Sequence, residues 1–315
     1  EILSGLVGSE MCIRDRGYEL QVKLSPLSTR AWSWTVNFTA AYMKDILKRS
    51  YTDEPALERF TNGNAALDGF PVSGFWSIPF IGLSPKNGAP LFAVMDQVGG
   101  EMQKVSGSLL DYLVYSGDSE PRVSGGISTT VRYKRFTLNA MFNYQLGHYK
   151  RLNPFITSSN NGMLSIPGAD MNASTELLTR WQQPGDETHT RIPALSTRDE
   201  DVSQYLPDNS LSLGNYGAVY RYSLYNRSTE RVVSASHLRC NRISLNYQTR
   251  ISRITEINLG ITVTNPFIIK NRRLGDQDPE VMSMNADSYT PTMKRQQNYS
   301  CLLYTSPSPR DQRGS

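Results

Sequence analysis

Alternating segments come in pairs along this chain, and the links between them are short within a pair and very long between pairs. In the first pair Tyr18, Leu20, Val22 and Leu24 alternate with Glu19, Gln21, Lys23 and Ser25. After the turn signal at Pro26-Leu27-Ser28-Thr29, Trp32, Trp34, Val36, Phe38, Ala40 and Tyr42 alternate with Ser33, Thr35, Asn37, Thr39 and Ala41. A period of two belongs to strands with two different faces. A second pair places Ile127, Thr129, Val131 and Tyr133 on one face, turns at Lys134-Arg135, and returns with Phe136, Leu138, Ala140, Phe142, Tyr144 and Leu146. A third uses Ile243, Leu245 and Tyr247, turns near Arg250 to Arg253, and returns through Ile257, Leu259, Ile261 and Val263. A last partial strand is expected from near Thr292 to Ser300.

The connections between pairs run from about Lys44 to Val123, Tyr149 to Val233 and Asn265 to Pro291. Structureless loops of that size argue against a compact domain. A transmembrane β-barrel accommodates them, because one rim has short turns and the other long loops. The runs also supply the roughly 9–11 residues that a tilted strand needs to cross a bilayer. Trp32 and Tyr42 lie near opposite ends of one apolar face, where interfacial aromatic girdles sit. The expected fold is therefore all-β: an incomplete antiparallel transmembrane β-barrel segment of about seven or eight strands with long extracellular loops. A soluble β-sandwich alternates in the same way but mixes long and short connections at both ends. The barrel requires Pro26-Leu27 and Arg250-Ile251 to lie at the same end of the sheet.

Composition narrows the function. A net charge of +4 over 315 residues argues against a dedicated nucleic-acid binder. There is no run of eighteen apolar residues and so no transmembrane helix. Three cysteines cannot build a disulfide framework, and three histidines leave little for a metal cluster. No Gly-x-Ser-x-Gly, His-Glu-x-x-His or phosphate-binding glycine loop occurs, so no catalytic residue, cofactor or metal is expected and the chain does not read as an enzyme.

Both ends look foreign to the rest. Leu6–Arg16 and Cys301–Asp311 translate one sequencing-adapter oligonucleotide, read forward at one end and as its frame-shifted reverse complement at the other. Residues 1–16 and 301–315 are accordingly read as non-native tails, expected to be poorly ordered, and residues 17–300 as the natural segment. Of the three cysteines, that segment keeps Cys240 alone.

Several blocks within it resemble one family, the SusC/RagA-like TonB-dependent outer-membrane transporters. Gly82-Leu83-Ser84-Pro85-Lys86-Asn87-Gly88-Ala89-Pro90 is similar to that family's Gly-Leu-Asp-Pro-x-x-Gly-x-Pro block, with Ser84 where Asp is usual. Arg180-Trp181-Gln182-Gln183-Pro184-Gly185-Asp186 resembles its Arg-Trp-x-x-Pro-Gly-Asp segment. Ser236-His237-Leu238-Arg239-Cys240-Asn241-Arg242-Ile243-Ser244-Leu245 resembles Ser-Tyr-Leu-Arg-Leu-Arg-Asn-Ile-Ser-Leu, and Asn265-Pro266-Phe267 followed by Asp278-Pro279-Glu280 resembles its ending. The blocks occur in the family's order over Tyr18 to Ser300. The resemblance implies the C-terminal part of a barrel of roughly 22 strands in the outer membrane of a Gram-negative bacterium. It implies import of oligosaccharides or peptides, driven by TonB through an upstream part, with a SusD-like lipoprotein as partner and outer-membrane lipid around the wall. The alternative is a soluble or surface-anchored β-rich carbohydrate-binding module.

For sugar binding the requirement is an exposed aromatic face that stacks on a pyranose, and Trp76, Tyr205, Tyr216 and Tyr220 in the long connections are the candidates. The other conspicuous residues read as structural. His148, His189 and His237 flank strands or sit in loops, and Asp276, Asp278 and Glu280 read as a turn element ahead of a calcium site. Arg180, Trp181 and Asp186 read as a loop lock in which Asp186 caps the Pro184-Gly185 turn or pairs with Arg180.

Overall fold

The structure, a computed structural model, describes residues 12–49, 57–93, 110, 113–154, 157–158, 164–165, 174–195, 210–212, 218–251, 255–281 and 295–307. A 7-stranded antiparallel sheet dominates it. Its strands neighbour one another in chain order: β1 (Cys12–Ser28), β2 (Trp32–Arg49), β3 (Val123–Tyr133), β4 (Phe136–Leu146), β5 (His237–Arg250), β6 (Thr255–Lys270) and β7 (Asn298–Pro307). β1 and β7 form the two edges, so the sheet is an open length of barrel wall. No second large sheet packs on either face among the described residues, as a sandwich would require.

Residues directly opposite in an antiparallel pair share a face. The register therefore carries the alternation of each strand across the whole sheet. Val22, Phe38, Ile127, Phe142, Cys240 and Phe267 form one continuous row. Nearer one rim, Trp32, Tyr133, Phe136, Tyr247, Leu259 and Leu303 form another. The opposite face is a polar ladder. Asn37 Nδ2 donates to Ser128 Oγ at 3.2 Å, and Thr130 Oγ1 donates to Asn139 Oδ1 at 2.8 Å.

All three short turns lie at one rim, with Pro26-Leu27 and Arg250-Ile251 at the same end of the sheet. Thr29 closes the first turn, its N–H donating to the Trp32 carbonyl at 2.7 Å and its Oγ1 accepting from the Trp32 N–H at 3.0 Å. The second is a two-residue loop whose first member, Lys134, has φ 52°, the positive value that matches hairpin twist. Adjacent hairpin ends are tied together: the Lys134 N–H donates to the Ala31 carbonyl and the Gln248 N–H to the Arg135 carbonyl. The connections 50–122, 147–236 and 271–297 all leave from the opposite rim.

The Asn265-Pro266-Phe267 block marks an irregularity within β6. Cys240 pairs with Phe267 and Arg242 with Thr264, so Asn265 and Pro266 together face Asn241. Asn265 takes φ 52°, which Asn tolerates better than most residues. Proline, lacking an N–H, fits a strand only at such a bulge or an edge.

Two expectations are corrected. Cys12–Arg16 and Cys301–Pro307, expected to be poorly ordered, instead extend the edge strands, with Arg16 opposite Lys44 and Cys301 opposite Ile261. Ladder pairing uses backbone N–H and C=O groups that any non-proline residue supplies, so it makes little demand on the side chains of an edge. The last strand is described from Asn298 and runs past Ser300, while its expected start near Thr292 lies outside the described residues.

The core lies mainly outside the sheet. Phe60, Trp76, Ile78, Phe80, Phe92, Leu113, Trp181, Leu224 and Tyr225 cluster in the long connections, which fold together over their rim. No second large sheet covers either face of the wall among the described residues, so compact burial moves to the loops.

Candidate functional site

Among the described residues, the loop layer and the polar wall beside it hold the buried charges. Three of the short ladders that shape the layer are Gly74–Ser77 with Val114–Asp118, Phe80–Leu83 with Pro90–Phe92, and Tyr149–Arg151 with Val232–Ser234. The Trp76 indole sits edge-on to Phe60, Phe70 and Tyr115, with centroids 5.5, 5.4 and 5.7 Å away. Arg151 is fully enclosed beneath it. Its guanidinium donates to the carbonyls of Thr61 and Trp76 at 3.1 Å, of Ser228 at 3.2 Å and of Asn226 at 3.3 Å, and to Ser77 Oγ at 3.0 Å. One side chain thus satisfies carbonyls from two different connections, which buried backbone demands. Burial, helped by the positive charges of Arg227 and Arg231, pushes its pKa down to about 9.

A second tie is the expected loop lock. Asp186 Oδ2 accepts from the Gln182 and Gln183 N–H groups at 2.9 and 3.0 Å, so it caps the turn. Arg180 turns away and donates to the Leu177 carbonyl instead. Glu187 Oε2 accepts from both Trp181 Nε1 and the Gly185 N–H, at 3.0 and 2.8 Å. The indole face rests on Gly88, where an added Cβ would stand 2.4 Å from ring carbons. The lock therefore joins Gly88 of the first long connection to Trp181 of the second.

The third tie latches the last connection onto the polar wall. Arg239 of β5 donates through Nη2 to Asp278 at 2.6 Å and through Nε to Glu280 at 2.7 Å. Arg295 also pairs with Glu280, and His237 Nε2 lies 3.1 Å from it. Asn143 Nδ2 of β4 donates to the same carboxylate at 3.2 Å. Burial raises the Glu280 pKa, but the Arg239 hydrogen bond and the surrounding positive charge outweigh it and the net shift is downward. Lys150 donates to the Asp278 and Val281 carbonyls, and burial lowers its pKa to about 8. His148, His237 and Asp278 are all buried here, whereas His189 is exposed. Asp278 and Glu280 are thus engaged by arginines, and Asp276 is exposed beside them.

Of the proposed sugar platforms, Trp76 is the one whose side chain the structure describes. Trp76 is 3 % exposed, and its faces are covered by aromatic neighbours, so it cannot stack on a sugar as expected. Large apolar rings in a folded loop layer gain more from mutual burial than from exposure. Tyr205 and Tyr216 lie outside the described residues. Tyr220 ends the short strand Ala218–Tyr220, opposite Ser210. No local pattern marks Arg151, Lys150 or the Arg239–Asp278 pair as organising residues, because their partners stand 39 to 131 residues away.

Wall and loop layer together define a segment of antiparallel β-barrel with a folded cap over one rim. Solved structures share this arrangement. The chain aligns with a chain of the RagAB peptide importer in its open-open state at a TM-score of 0.60 and 17 % identity, covering 94 % of this chain and 29 % of that one. The closed-closed state gives 0.61 at 17 % identity, with 93 % and 29 % covered. A further RagAB peptide transporter structure gives 0.59 at 18 % identity, with 86 % and 27 % covered. The likeness is one of fold, and this chain spans less than a third of the length of those chains. No family model and no curated protein matches it.

Proposed function

We propose that the chain is part of a SusC/RagA-like TonB-dependent transporter in the outer membrane of a Gram-negative bacterium, importing oligosaccharides or peptides for nutrient uptake. The observation that carries this reading is the segregation of turns and long connections to opposite rims of a wall with one continuous apolar face. A bilayer requires such a face, and a solute path uses the polar one. Trp32 and Tyr42 are ten positions apart on the apolar face. At about 3.3 Å per residue and a tilt of roughly 40°, that separation spans about 25 Å, the height of the apolar band of such barrels. The RagAB likeness supports a lipoprotein of the SusD type as the partner of the loop layer, with TonB engaging an upstream part. The role is transport rather than catalysis.

The unit to which this role is assigned is 17–300, with 1–16 and 301–315 as adapter-derived tails. In β7 the pattern is consistent with that boundary: Leu302 and Tyr304 stand opposite Gly260 and Asn258, on the polar side of the sheet. The reading is tested by disrupting the gene in its host and measuring uptake of labelled oligosaccharide and oligopeptide panels. Loss of uptake of one class, restored by the intact gene and abolished without TonB, is the expected result. Unchanged uptake of every member of both panels overturns it. The soluble carbohydrate-binding alternative predicts glycan binding in detergent-free buffer and no dependence on TonB.

A further inference from the structure

The short-turn rim carries a one-sided charge. Arg30 precedes β2, Arg132 lies near the end of β3, Lys134 and Arg135 make the β3–β4 turn and Arg250 ends β5, and all five are exposed. Within residues 26–34, 130–138 and 246–259 the acid present is Glu256, which accepts from Gln248 Nε2. None of the five cations forms an ion pair with a described residue. Arg135 donates to Thr249 Oγ1 at 2.8 Å, and Lys134 Nζ lies 5.2 Å from the centroid of the Tyr133 ring. The opposite rim differs: Arg122 pairs with Asp118, Arg231 with Glu176, Arg239 with Asp278 and Arg273 with Glu230.

On the apolar face the aromatic row of the same rim runs beside the turn cations Lys134 and Arg135, whereas Arg132, opposite Ser33 and Thr137, and Arg250, opposite Glu256, stand on the polar face. Trp32 packs on Tyr133 at 4.2 Å between centroids, and Phe136 packs on Tyr247 at 4.7 Å. Aromatic rings of this kind settle at the boundary between acyl chains and headgroups. The row fixes the depth at which the turn cations Arg30, Lys134 and Arg135 meet the bilayer.

Resting on the barrel reading above, we infer that the short-turn rim binds the anionic headgroups of phospholipids in the leaflet that surrounds it. Charge complementarity selects this occupant. Unpaired guanidinium and ammonium groups next to an interfacial aromatic row attract lipid phosphates, and the attraction is screened by salt. A zwitterionic headgroup, carrying its own ammonium, is held less tightly.

The test uses the full chain reconstituted in vesicles of phosphatidylcholine mixed with phosphatidylglycerol, with one or the other lipid brominated. Trp32 and Trp34 lie on the apolar face and are half exposed, whereas Trp76 and Trp181 are buried in the loop layer, so quenching reports lipid at the short-turn rim. The expected result is a preference for brominated phosphatidylglycerol on the order of tenfold, consistent with a few basic residues near a charged surface. That preference falls toward unity in R30Q/K134Q/R135Q and, for the unaltered chain, in high salt. Equal quenching by the two lipids overturns the inference while leaving the barrel reading intact, as does a preference that neither salt nor substitution reduces. If neither lipid quenches, the barrel reading and this inference both fail.

Discussion

The hydroxyl of Tyr144 on β4 donates to the carbonyl oxygen of Thr39 on β2 at 2.9 Å, passing over Gly125 of the intervening β3. Its ring also stacks near Phe38, with centroids 6.0 Å apart. An aromatic side chain thus covers the gap that a glycine leaves in a strand. A Cβ at position 125 would lie 2.0 Å from the Thr39 oxygen and 2.5 Å from the Tyr144 hydroxyl. Gly125→Ala should therefore destabilise the wall by more than about 2 kcal/mol, through backbone displacement. Tyr144→Phe removes one hydrogen bond and should cost about 1 kcal/mol. Urea midpoints of the refolded chain in detergent order the two, and a milder effect for the alanine contradicts the close approach.

Trp76 should behave as a core residue. Trp76→Ala deletes the ring on which Phe60, Phe70 and Tyr115 converge and should cost about 3–5 kcal/mol. Trp76→Phe, which keeps an aromatic edge, should cost much less. Limited proteolysis within 57–93 reads the difference. A Trp76→Ala chain as protease-resistant as the unaltered one would falsify the burial.

What the sequence made legible divides along the same line. Alternation in Tyr18–Leu24, Trp32–Tyr42 and Phe136–Leu146 fixes strand faces because each strand's pattern is local and its period is two. Short turns at Thr29 and Lys134-Arg135 fix which strands pair. The loop layer was opaque for the opposite reason: Arg151 serves carbonyls of Thr61, Trp76, Asn226 and Ser228 that lie far away in the chain, and no spacing encodes such contacts. The burial of Trp76 is not legible in the sequence because a tryptophan in a polar connection carries no mark that tells an exposed platform from a buried one. The extended edges Cys12–Arg16 and Cys301–Pro307 are not legible locally because ladder pairing engages the backbone and needs no particular side chains.

The latch on the polar wall supplies a third expectation. Arg239→Gln leaves Asp278, itself buried, without its 2.6 Å partner and takes from Glu280 its 2.7 Å one. Breaking a buried pair from one side costs roughly 3–5 kcal/mol. Arg295 remains beside both acids, so the loss should fall toward the lower end and be local. Amide exchange over 276–281 should accelerate while β3 and β4 stay protected. Arg239→Lys should rescue only in part, because an ammonium cannot engage both carboxylates as the guanidinium fork does. Uniform loss of protection across the sheet would show that the pair holds the wall and not the loop.

Acid should loosen the same region through His148. Its ring is fully buried, its nitrogens meet no hydrogen-bond partner, and the His237 ring stands 6.0 Å away. Burial first, then the charges of His237 and Lys150, lower its pKa from 6.5 to about 4. The unfolded chain takes up the proton near pH 6.5, the folded one near pH 4, so between these values the unfolded state binds more protons and stability falls as pH falls. The loss should be on the order of 2–3 kcal/mol by pH 4 and then level off, with full stability above about pH 6.5. His148→Leu replaces a buried polar ring with an apolar side chain and should be near neutral at pH 7. Denaturant midpoints of the two chains should then converge at pH 7 and separate at pH 4.5, with the leucine variant more stable at the lower value. Parallel midpoints across the range would mean that His148 takes up its proton equally in the folded and unfolded chain.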